Sequence, residues 1–213
     1  MDWNLVIGFV LGIVTSGIAS VLYEWATSPL VEISLDDRPL AMGQYPGLPP
    51  LAFYHLRIRN IPAKLSLSNR KPAWSSYATI EVFTLDGARL TAEPIYARWP
   101  SQPEPLSPAL SGNQSVNLVD FARLMNARKV DIHVHNDEYI SLAVKYEGQS
   151  ECYIFSNESY LHRAWSNPAW RLEPGTYRIV VSVFYERGRA QREFTLSNRR
   201  VARNSVEIDY ART

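Results

Sequence analysis

The run Asp131-x-His133-x-His135-x-Asp137 is the segment of the chain best equipped for chemistry. In an extended strand, side chains i and i+2 share a face, so two imidazoles and two carboxylates would line one side. His-x-His on a strand is a geometry that serves zinc and similar ions, which makes Asp131, His133 and His135 the candidate metal ligands. The competing expectation, and the stronger one, is a polar strand edge turned to solvent beyond Val130, Ile132 and Val134. Only His55 and His162 remain elsewhere to complete a second half-site. No other segment implies a cofactor: there is no Gly-rich phosphate loop, no Gly-x-Ser-x-Gly elbow and no paired-carboxylate signature. Catalysis is therefore the minority expectation.

The same run is similar to the His-x-His-x-Asp-His motif of metallo-β-lactamase-like hydrolases, which implies a metal-dependent hydrolase as one alternative. Two departures weigh against it. Glu138 stands where the last His would be, and those enzymes use a larger layered α/β domain. Two other groups of residues could form binding surfaces. Arg187, Arg189 and Arg192, with Arg199, Arg200 and Arg203, make a basic C-terminal cluster set against Glu186, Glu193 and Glu207. Such a run is ordinarily a solvated face, and beside a membrane it could touch headgroups or an acidic partner. Arg98-Trp99-Pro100 and Trp165 with Trp170 are aromatic-rich loops that either plug a core or anchor a partner, plugging being the stronger expectation. Cys152, the single cysteine, excludes an intramolecular disulfide and reads as a small buried residue.

The elements that must position these residues are strands. Val31 to Leu35 alternates apolar and polar, and Tyr54, Leu56 and Ile58 alternate with His55, Arg57 and Arg59. Thr79 to Leu85 is apolar on both faces and ends at the Asp86-Gly87 turn, with Ala88 to Tyr96 expected to return beside it. Pro39 to Pro50 and Ala97 to Pro108 read as proline-rich loops. Short strands are expected at Val116 to Leu118, Val130 to Val134, Tyr139 to Tyr146 and Cys152 to Phe155, with a helical turn between Val119 and Asn126. Tyr177 to Val183 and Phe194 to Leu196 form a hairpin around Arg187-Gly188-Arg189, and Val206 to Tyr210 makes a last edge strand. The fold class that follows is all-β: an antiparallel β-sandwich, Ig-like in architecture. The Pro-Gly-Thr-Tyr strand and its returning partner are similar to the last hairpin of many immunoglobulin-like bacterial domains.

Before the sandwich lies a different kind of segment. Trp3 to Tyr23 carries no charge and, as a helix, is about 31 Å long, enough for a hydrocarbon core of about 30 Å. Trp3, Tyr23 and Trp25 stand at its ends, where aromatic rings prefer the headgroup level. A signal peptide would have a basic n-region and a shorter apolar run, so an uncleaved anchor over 1–28, followed by the sandwich domain over 29–213, is the expectation. Gly8, Gly12, Ser16 and Ser20 recur every fourth residue and form a candidate helix-packing face for a homo-oligomer. The first basic residue after the span is Arg38, so the charge rule decides little; a tail without Lys or Arg leans toward a domain facing the cytoplasm.

The formal charge of +1 gives no field to steer nucleic acid, which is not an expected partner. Asn113-Gln-Ser115 and Asn157-Glu-Ser159 match the glycosylation pattern at a level chance supplies. The segments Ala97 to Pro105, Glu151 to Tyr160 and Pro168 to Tyr177 together resemble an uncharacterised group of small archaeal and bacterial proteins with one N-terminal span and a β-sandwich. That resemblance implies architecture and no activity. The leading expectation is a non-enzymatic, membrane-anchored module that binds an unknown protein or ligand through its strand edges and the 97–108 loop. The alternative is an oligomerising structural component of the cell envelope or a surface filament.

Overall fold

The computed structural model describes residues 3–38, 41–43, 48–63, 70–111, 114–199 and 204–211. Helix α1, Trp3–Thr27, is followed after Ser28-Pro29-Leu30 by strand β1, Val31–Leu35. The window Val6–Thr27 has a mean hydropathy of 2.1 and is not buried against the rest of the chain, so α1 is long and apolar enough to cross a membrane. Next come β2 (Ala41–Gly43), β3 (Leu51–Asn60), β4 (Ala73–Phe83) and β5 (Ile95–Tyr96). A two-stranded ribbon of β6 (Leu106–Ser111) and β7 (Gln114–Val119) leads into helix α2 (Phe121–Asn126), then β8 (Val130–Ile132), β9 (Asp137–Tyr146) and β10 (Cys152–Ile154). Short 3-10 turns between Asn157 and Trp170 precede β11 (Arg171–Leu172), β12 (Gly175–Tyr185), β13 (Gly188–Asn198) and β14 (Val206–Tyr210).

Two 6-stranded sheets pack face to face. The first is ordered β1-β3-β9-β10-β11 with β2 added to β3; the second is ordered β14-β13-β12-β4-β5 with β8 added to β4. All the ladders between these strands are antiparallel. The core between the sheets comes from period-two alternation: Ile33, Tyr54, Leu56 and Ile58 from one side, Ile80, Val82, Ile179, Val181, Val183, Phe194 and Leu196 from the other. Each such side chain contributes on the order of 1.5–3 kcal/mol by leaving water. The expected antiparallel β-sandwich behind one apolar helix is the fold observed.

One irregularity in β9 has large effects. Tyr54 pairs with Ala143 but His55 pairs with Ser141, so Leu142 is an extra residue and the alternation inverts there. Ile140, Leu142 and Ala143 enter the main core, whereas Val144 and Tyr146 turn to the outer face of the sheet. That outer face is not left to water. Phe155, Tyr160 and Trp165 from the 3-10 segment, with Leu106 and Val119 from the ribbon, cover Leu51, Phe53, Val144 and Tyr146 as a second, aromatic core.

The loop over 97–108 is corrected in two respects. Its backbone is tied into the sheet, since the Ser141 N–H donates to Arg98 O at 2.9 Å. Its last residues, from Leu106, belong to β6, where Pro108 stands opposite Asn117 in a ribbon that does not demand its missing N–H in a central strand. In the Pro39 to Pro50 stretch, Ala41–Gly43 pairs with β3, while residues 39, 40 and 44–47 lie outside the described residues.

Candidate functional site

The place where the fold brings the most chemistry together is the junction between α1 and the sandwich. Val31 pairs with Asn60, and Tyr185 pairs with Gly188 at the turn between β12 and β13, so both features lie at the end of the sandwich nearest the helix. Only three residues separate α1 from β1, and the helix end is held directly. The Lys71 N–H donates to Thr27 O at 2.7 Å and Arg70 Nη1 donates to Ser28 O at 2.7 Å. Glu24, one turn before the helix end, accepts from Lys71 Nζ at 2.7 Å and also from Arg187 Nη1. Behind them Asn60, fully buried, accepts from Leu30 N at 3.1 Å and donates to Lys71 O at 2.9 Å and Ile132 O at 3.3 Å. One amide therefore ties the helix exit, the approach to β4 and the end of β8. A small cleft lined by Pro29, Pro72, Trp74 and Tyr185 opens beside this clamp.

The metal-ligand expectation for Asp131, His133 and His135 is not met. β8 ends at Ile132, and His135 has φ +70°, so the extended alternation that would align the three stops short. Asp131 Oδ1 accepts from Ser75 N at 2.8 Å, and the His133 ring meets Trp74 edge-on, with centroids 5.5 Å apart and an interplanar angle of 85°. Asp137 forms a two-point pair with Arg59 at 2.7 and 2.8 Å, and these hydrogen bonds hold its carboxyl below the usual range. Among the described residues no group of three His, Cys, Asp or Glu could hold a metal ion. The resemblance to the hydrolase motif thus ends at the level of residue types.

Of the two expectations for Arg98 and Trp99, partner contact and core plug, the structure places both in the interior, so they are not exposed contact residues. Trp99 is 0% exposed in the main core, with Nε1 donating to Arg128 O at 3.1 Å. Arg98 is 5% exposed; its guanidinium donates to Asn157 Oδ1 at 2.7 Å and Gln102 O at 3.2 Å, and it lies over the Tyr160 ring. The same bond removes Asn157 from the surface, while Asn113 lies outside the described residues. Trp165 is half-buried in the aromatic core, with Phe53, Phe155 and Tyr160 at 5.6 to 5.9 Å. The arginines do not share a face. Arg187 holds Glu24, Arg189 donates to Ser182 Oγ at 2.8 Å and covers Phe184, and Arg192 lies 4.5 Å from the Tyr210 ring at the sheet edge. Arg199 pairs with Glu207 at 2.7 Å; Arg200 and Arg203 lie outside the described residues.

The candidate helix-packing face is open. A methyl group at Gly8 or Gly12 would meet nothing within 4 Å, and Ser16 Oγ returns to Ile13 O at 3.0 Å. Ser20 shares the helix surface, where it is exposed. Apolar exposure also occurs away from the helix. Phe121 and Met125, at i and i+4 on α2, are more than half exposed, as is Leu118 on β7, while Leu124, one step further round the helix, is buried.

Burial shifts several interior groups, the Tyr54 hydroxyl among them, which it pushes up to about 12. Burial pushes the Cys152 thiol up to about 12, and burial lowers the Lys145 ammonium, which the bulge in β9 has turned inward. Burial, followed by the nearby Arg38, lowers the His55 imidazole. Trp74, Asn60 and the Glu24 clamp are the site features that sequence reasoning missed; the accessible signal was Trp74 itself, an outward aromatic close to the anchor. No protein-family model, curated protein or solved structure matches this chain.

Proposed function

We propose that this chain is a single-span membrane protein whose β-sandwich works by binding a protein partner beside the bilayer, on the cytoplasmic side of a cell membrane. The observation that carries the reading is the exposed apolar surface of Leu118, Phe121 and Met125. Elsewhere the ribbon turns Leu106 and Val119 inward, and the segment from Phe155 to Trp165 its aromatic rings, as a second core. A soluble surface that leaves Phe and Met side by side in water is characteristic of contact with another macromolecule. Short α2 is fixed for that purpose: Asp120 caps it, accepting from Arg123 N at 3.0 Å, and Leu124 pins it to the sandwich.

A photo-crosslinking residue at Phe121, in the full chain in native membranes, tests this reading. The expected product is one discrete adduct containing a second, different polypeptide, lost on Met125→Ser. Illumination that yields no adduct refutes it. A second reading, a structural component that self-associates through α1, is favoured by the Gly8, Gly12, Ser16 and Ser20 surface, which lies on the part of α1 left uncovered by the other described residues. An adduct of two identical chains that disappears with Gly12→Leu selects that reading instead.

A further inference from the structure

Trp74 is 44% exposed although it lies in β4, a strand whose other apolar residues are mostly interior. Three local features put it there. The pairing of β4 with β8 shifts register between Ala73 and Ser76, and a bulge of this kind re-aims the side chains at a strand end. Ser75 has φ +49°, a left-handed conformation that costs a non-glycine residue free energy and persists only where its surroundings enforce it. The enforcing group is Asp131, whose carboxylate takes the Ser75 N–H, while the edge-on His133 ring buttresses the indole. The unused Asp-x-His pair thus has a physical task, the presentation of one tryptophan.

The position of that tryptophan suggests what it meets. Trp74 lines the same cleft as Pro29, two residues beyond the helix end. Lys71, three residues before it, reaches Glu24, and so does Arg187 from the β12–β13 turn. These side chains therefore stand about 4.5 Å back along the helix from its end, level with the last turn. Trp25, 77% exposed, and Tyr23 occupy that same turn. An indole beside mixed Lys, Arg and Glu charges at the end of an apolar helix matches the chemistry of the headgroup layer, where Trp settles with its ring in the boundary and its N–H wet.

We propose that Trp74, presented by Asp131 and His133, is a lipid-contacting residue that seats the helix-proximal end of the sandwich in the headgroup layer of the bilayer. The assignment rests on the reading of Val6–Thr27 as a span. Asp131 and His133 act as positioning residues, and the partner surface is continuous with the membrane that the helix crosses.

The test uses the full chain in phosphatidylcholine vesicles with or without lipid carrying a nitroxide near the headgroup. The Trp74 emission is isolated as the difference between the native protein and Trp74→Phe, and the Trp25 emission likewise with Trp25→Phe. The expected result is that the Trp74 component is quenched by the lipid nitroxide and protected from aqueous iodide. Asp131→Ala, which keeps every tryptophan and removes the acceptor for the Ser75 N–H, should reduce the lipid quenching while leaving the Trp25 component unchanged. A Trp74 component quenched only by iodide, beside a lipid-quenched Trp25, overturns the seat and leaves the span standing. If neither component responds to the lipid nitroxide, the span and the seat fall together. Unchanged quenching in Asp131→Ala overturns the positioning role.

Discussion

At the scale of single residues, the interior of the sandwich far from the helix shows how burial sets reactivity. Cys152 and Lys145 are cross-strand neighbours, both fully buried, and Lys145 Nζ donates to Asn198 Oδ1 at 2.6 Å and Ser150 O at 2.9 Å. With its pKa raised to about 12, Cys152 has almost no thiolate near neutral pH, so native protein should resist a disulfide exchange reagent at pH 8 and react only in denaturant. Rapid native-state labelling would contradict this. The shift also predicts a pH effect. Above about pH 8.5 the unfolded chain loses the thiol proton while the folded chain keeps it, so stability is lost as pH rises toward the folded value. Cys152→Ala should flatten that alkaline loss in denaturant melts. Lys145 acts in the opposite sense: its depressed pKa means the unfolded chain binds the extra proton, so stability rises with pH up to the ordinary lysine value. Neither environment was legible in the sequence. The extra residue at Leu142 that turns Lys145 inward leaves no mark on a strand buried on both faces, because no polar alternation is there to be broken.

At the scale of elements, the junction depends on a residue that looks like an ordinary strand terminator. Asn60 satisfies three backbone groups from three segments with one buried amide. Asn60→Ala should cost about 1–3 kcal/mol, because the Ile132 carbonyl loses its buried partner and the Lys71 carbonyl and Leu30 N–H lose theirs at part-buried positions. Urea unfolding of the full chain in detergent measures it, and a loss below about 1 kcal/mol would refute the role. Where one face of a strand is buried and the other wet, the sequence is an accurate guide: β3, the second half of β13 and β14 follow alternation, whereas β12 is buried on both faces from Ile179 to Val183. The sequence misled where a side chain's direction depends on distant packing. Asp131 to Asp137 was read as one extended run, and the positive φ at His135 ends that run. The prolines around Arg98 and Trp99 mark a loop, and the bridge from Arg98 to Ser141 on β9 draws that loop inside, where Trp99 plugs the core.

At the scale of the whole molecule, α1 and the sandwich are joined by contacts rather than by a free linker. Glu24 is central, since it bridges Lys71 and Arg187 from two separate parts of the domain. Individually such exposed pairs are weak, but here they act beside the Arg70, Lys71 and Asn60 bonds across a three-residue connection. Glu24→Gln should therefore loosen orientation without unfolding the domain. Spin labels at Leu11→Cys and Asp86→Cys in vesicles should give a narrow distance distribution in the native chain and a broader one in this variant. Equal widths would show that the clamp does not control orientation. The unreactive native thiol makes such labelling clean.

The connection Ser28-Pro29-Leu30 acquires a mechanical meaning from this clamp. A helix whose apolar length differs from the local bilayer thickness relieves the mismatch by tilting. In a protein with a long flexible tether that tilt would be absorbed at the membrane surface. With α1 as a span, the clamp would pass that tilt on to the domain, so the helix and the sandwich would turn together as a lever. The far end of the sandwich, where Asp86 stands roughly 35 Å along β4 from the junction, would then sweep through a displacement set by bilayer thickness.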